Sequence, residues 1–91
     1  MVLMHQIDMF DTPLLRQLIH SGKAGDLVAK GVPGGFVLAM RDGLDEQVLR
    51  AQRGGARKFK RLDALAAYLQ SVGASSFAVE MVGWSESSLN L

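Results

Sequence analysis

Two hydrophobic periods alternate along this chain, and glycine separates them. Leu62, Leu65, Ala66, Leu69 and Val72 recur at the spacing of one helix face, and Gly73 closes the run. Phe36-Val37-Leu38-Ala39-Met40 is instead short and continuously apolar, bounded by Gly34-Gly35 before it and Asp42-Gly43 after it, as a buried strand requires. A chain that needs both periods must pack helices on a sheet.

The remaining segments extend that reading. Asp11-Thr12-Pro13 opens a helix: Thr12 is placed to cap the free amides, Pro13 suits the first helical position, and Leu14, Leu15, Leu18 and Ile19 share a face before Gly22 stops it. Asp26–Lys30 is expected to pair with Phe36–Met40 across Val32-Pro33-Gly34-Gly35, where Pro then Gly suits a type II turn. Glu46–Gln52 alternates in the manner of a strand. Gly54-Gly55 turns the chain so that Arg57–Lys60 returns with Phe59 inward and Lys58 and Lys60 outward, and Ser76–Val82 supplies a last strand.

The expected order is α-β-β-β-(β)-α-β, an α+β fold of mostly antiparallel sheet with two helices packed on one face. The 91 residues suit one small domain, with residues 1–11 as an N-terminal arm, 12–82 as the core and 83–91 as a tail. Apolar Val2, Leu3, Met4, Ile7, Met9 and Phe10 are too many to leave in water. The arm therefore adds an element to the core or packs on a second subunit.

Composition removes several classes of function. Hydrophobic residues at 48% and charged residues at 21% describe a folded chain, and the absence of cysteine excludes disulfides, thiolate metal sites and a cysteine nucleophile. The opening MVLMHQIDMFD lacks the basic and apolar regions of a signal peptide, and no segment approaches the about 20 apolar residues of a membrane span. A cytoplasmic protein, bound to no membrane, is expected.

Catalytic and metal-binding sets are not apparent. His5 and His20 have no carboxylate near them at metal-ligand spacing, and Ser71, Ser75, Ser76, Ser85, Ser87 and Ser88 lie far along the chain from either histidine. The glycines of GVPGG and RGG do not lead directly into a helix and are turn glycines. Asp42, Asp45 and Glu46 offer too few oxygens for a cation and are read as a solvated turn. No catalytic residue, metal, cofactor or small-molecule substrate is expected.

Charge distribution carries the one functional signal. Of 10 basic residues, six (Arg50, Arg53, Arg57, Lys58, Lys60 and Arg61) fall in RAQRGGARKFKR with no acid among them. A two-stranded basic ribbon fits a nucleic-acid groove, an acidic partner surface would suit it equally, and such runs also occur as solvated sheet edges. Phe36, Phe59 and Phe77 fall at inward positions and are assigned to the core rather than to base stacking. Trp84 follows Gly83 beyond the last strand, where it covers the sheet or marks a partner surface. With Ile7 and Phe10 it forms the candidate interface for a homodimer.

The run from Leu14 to Glu80 resembles small accessory proteins of conjugative plasmids and integrative elements, the partition-associated ParC type. The likeness is carried by LLRQLI, GGFVLAMRDG, LRAQRG, KFKRLDALAAYLQSVG and FAVE. That resemblance implies a non-enzymatic role in partition, maintenance or stability of a mobile element, with DNA or a plasmid partition protein as partner. The alternative is a protein-interaction module or homodimer that binds no nucleic acid.

Overall fold

The structure, a computed structural model, describes residues 8–85. In chain order it contains β1 (Asp8–Phe10), α1 (Thr12–His20), β2 (Asp26–Val32), β3 (Gly35–Asp42), β4 (Asp45–Leu49), β5 (Lys58–Phe59), α2 (Leu62–Ser71) and β6 (Ala78–Glu80). The α+β class, the two helices and their order follow the sequence reading, with β1 added at the front. The sheet is mixed: its order is β1-β4-β3-β2-β6, with β5 also pairing β3. β3 runs antiparallel to β2, β4 and β5, while β1 lies parallel to β4 and β6 parallel to β2.

This topology explains why the helices share a face. The connections β1-α1-β2 and β5-α2-β6 each join parallel strands and cross the sheet in the same direction. Such crossovers are right-handed, so equal handedness places both helices on one side. Leu15 of α1 and Leu65 and Leu69 of α2 accordingly meet Phe36, Leu38 and Met40 of β3 in one buried cluster. Phe10 of β1 is buried in the same cluster, so part of the apolar N-terminal run is used inside the domain. Ile7 and the other apolar residues before it lie outside the described residues.

Local signals mostly act where the sequence places them. Val32 pairs with Gly35 around Pro33-Gly34, and Gly34 takes the positive φ of +86° that the third position of a type II turn needs. The cap of α1 differs: the Asp11 carboxylate, one residue earlier, accepts from the Leu14 amide at 3.0 Å, and Thr12 is the first helical residue. The Thr12 hydroxyl is thereby free to bond the Tyr68 hydroxyl at 2.7 Å, joining α1 to α2. Gly31 faces the helices, and a Cβ there would stand 2.7 Å from that of Trp84. The backbone and Cβ of Trp84 use the room the glycine leaves, and Trp84 packs against the core. Among the described residues no helix is long and apolar enough to cross a membrane.

The opposite face of the sheet is closed by charge. Lys30 of β2 reaches over β3 to Glu46 of β4 at 2.6 Å, and Arg41 of β3 reaches over β2 to Glu80 of β6 with two hydrogen bonds of 2.5 and 2.8 Å. The Arg41 Nε also donates to Glu46 at 2.8 Å, linking the two pairs. Ala39 and Val28, on the strands so spanned, are 0% and 3% exposed although the helices lie on the other side. Glu46 belongs to this network rather than to a free acidic turn. Hydrogen bonds from Lys30 and then Arg41 hold the Glu46 carboxyl below the ordinary range, and Arg41 does the same for Glu80.

A pH dependence follows from these depressed carboxyl groups. Their contribution is fully present above the unfolded-state carboxyl pKa and is lost as pH falls through the folded one. Urea midpoints measured from pH 7 to pH 3 are expected to fall with acid in the natural chain. Glu46→Gln should cost about 1 kcal/mol at pH 7 and show a shallower acid loss; parallel curves would contradict the assignment.

Candidate functional site

The basic segment is built on an interruption in one strand. β4 and β5 pair along the same edge of β3, with Ala39 opposite Val48 and Val37 opposite Lys58. Had the β4 register continued, residue 50 would face Val37, so residues 50–57 are extruded from the ladder. Eight is an even number, and side-chain alternation survives the interruption. Leu49 on one side and Phe59 on the other both enter the core. The expected hairpin of two longer strands, Glu46–Gln52 and Arg57–Lys60, is therefore a short projecting loop between two pieces of one edge.

Main-chain bonds shape this loop. The Arg57 amide donates to Leu49 O at 2.8 Å and closes its neck, Arg50 bridges Ala56, and the Ala51 amide donates to Gly55 O at 2.9 Å. Gly54 and Gly55 take φ of +89° and +68° with nothing within 4 Å of where a Cβ would stand. Glycine is needed there for left-handed backbone, not for space. The Arg50 amide also donates to Phe10 O at 2.9 Å, anchoring the base of the loop on β1.

Six basic side chains that look equivalent in sequence have different surroundings. Arg61 makes a two-pronged pair with Asp63 at 3.0 and 2.8 Å, which raises the guanidinium pKa and lowers that of the carboxyl; both residues are exposed. Much of the Arg61 charge is answered locally. Lys58 donates to Pro33 O at 3.1 Å and ties β5 to the β2–β3 turn. Arg57 stacks its guanidinium 4.6 Å from the Phe59 ring centroid and 5.2 Å from that of Tyr68. Arg50, Arg53 and Lys60 are exposed and make no ion pair among the described residues.

An open cleft of about 790 Å³ lies between the start of α1 and the loop, lined by Asp11, Thr12 and Pro13 on one side and Arg50, Gln52 and Arg57 on the other. Tyr68 is the supporting residue that sequence reasoning missed. It carries the Arg57 stack, packs on Phe59 with ring centroids 5.6 Å apart, and takes the Thr12 hydrogen bond. Its place beside the apolar stripe of α2 was legible; its bond to a residue 56 positions away was not.

The other singled-out residues are dispersed. Phe10 is buried in the core, Trp84 is partly buried against it, and Ile7 lies outside the described residues. His20 is exposed at the end of α1, and His5 lies outside the described residues. Among the described residues no three His, Asp or Glu side chains converge to hold a metal ion. What the arrangement offers chemically is a cationic projection on a rigid sheet edge, suited to an anionic surface.

A family model described as ParC-like matches residues 10–88, which include β2 to β6, both helices and the basic loop. No curated protein and no solved structure matches the chain.

Proposed function

This chain belongs to the ParC-like family, and we propose that it is a non-enzymatic accessory protein of a plasmid or mobile element, acting in its partition, maintenance or stability. The partner is nucleic acid or an acidic surface of a partition protein, met by the loop carrying Arg50, Arg53 and Arg57 and by Lys60 beside it. The observation that carries this reading is the extruded segment itself: residues 50–57 leave the sheet without breaking its alternation and carry three of the chain's 10 basic residues. A chain that needed only to connect β4 to β5 had no use for the detour. The charge is also one-sided, since Asp63 offsets Arg61 while no carboxylate among the described residues pairs with those at the tip.

Duplex retardation measured between 50 and 200 mM salt tests this. Affinity is expected to fall steeply with salt, and the combined Arg50→Ala, Arg53→Ala, Lys60→Ala variant should lower the slope of log K against log salt by up to about 0.9 for each phosphate no longer neutralised. Absence of retardation at the lowest salt would leave the partition-protein arm alone.

A second reading, a homodimer or other protein-interaction module without nucleic acid, is favoured by the β6 edge. Among the described residues β6 pairs only with β2, and Met81 and Val82 just after it are 57% and 99% exposed. Light scattering after size exclusion should then give a mass above one chain that returns to one chain in the Met81→Asp, Val82→Asp variant. A single-chain mass for the natural protein would count against the homodimer.

A further inference from the structure

Among the basic residues of the loop, Arg57 has a distinct setting. Its guanidinium rests on two aromatic faces, Phe59 buried beneath it and Tyr68 fixed in turn by Thr12. A side chain so held has little rotamer freedom left to lose when it binds, and no carboxylate among the described residues pairs with it. Arg50 lines the same cleft. Among the described lining residues the one acid, Asp11, already accepts from the Leu14 amide at the helix start, and two guanidinium groups against that carboxylate leave this lining positive.

We propose that the cleft between the start of α1 and the basic loop seats a single phosphate group, clasped between Arg50 and the stacked Arg57. The proposal rests on the nucleic-acid reading only for the source of that phosphate, a backbone group of the bound strand. Arg53, at the loop tip, then contributes field rather than a seat. A planar guanidinium on an aromatic shelf is not replaced by an ammonium of equal charge, so arginine-to-lysine changes separate the two roles.

The test uses the full chain in two arms. In the first, inorganic phosphate is titrated while the arginine Nε–Hε signals are followed by NMR. Arg50 and Arg57 should move together and saturate, with Arg16 and Arg53 little changed; uniform, unsaturating shifts would overturn the seat. In the second, duplex affinity is compared for Arg57→Lys and Arg53→Lys, with an expected loss of about fivefold or more for the first and under about twofold for the second. Equal losses would overturn the special role of Arg57. If phosphate marks the two arginines while no duplex binds, the seat stands and the nucleic-acid reading falls.

Discussion

β3 is the strand on which every other part of the domain depends. Among the described strands it alone pairs with three others, and the alternation of Phe36, Leu38 and Met40 against Val37, Ala39 and Arg41 assigns one face to the helices and the other to the ion pairs. A shift of one residue in its register would turn Arg41 into the core and Leu38 into water, so both layers select the same pairing. Hydrophobic burial supplies the larger share of the driving force. The Lys30, Arg41, Glu46 and Glu80 network adds little as separate surface pairs, but it covers Ala39 and Val28 and links four strands.

The same strand also separates folding from function. Its antiparallel edge is occupied by β4 and β5 in succession, so the sheet is continuous there while the chain between them is not. Residues 50–57 can vary in charge without touching the core, because the elements on either side already have their partners. Arg57 is the exception within the loop, since its stack on Phe59 and Tyr68 joins the projection to the helical layer. Loops placed on rigid scaffolds in this way commonly carry recognition.

Much of this was legible in the sequence, and the parts that were not share a physical cause. The helical stripe of α2, the apolar run of β3, the Pro33-Gly34 turn and the inward Phe59 all follow from local periodicity and backbone chemistry. The strand Asp8–Phe10 is too short for a periodic signal and exists because β4 offers it a parallel edge. Asp11 caps α1 in place of Thr12, whose hydroxyl instead meets a distant partner in Tyr68. Inequality among the six basic residues depends likewise on neighbours remote in sequence, such as Pro33 for Lys58.

The central claim is that the basic loop is an insertion for binding, not a connection the fold requires. Its most direct measurement is duplex binding by the chain from which residues 50–57 have been excised, so that Leu49 is followed by Lys58. Because eight residues are removed, β4 and β5 should join on β3 as one strand with Leu49 and Phe59 still inward. The expected result is a cooperative thermal transition retained and duplex affinity abolished. A chain that folds and binds as before, or one that cannot fold without the loop, would contradict the claim.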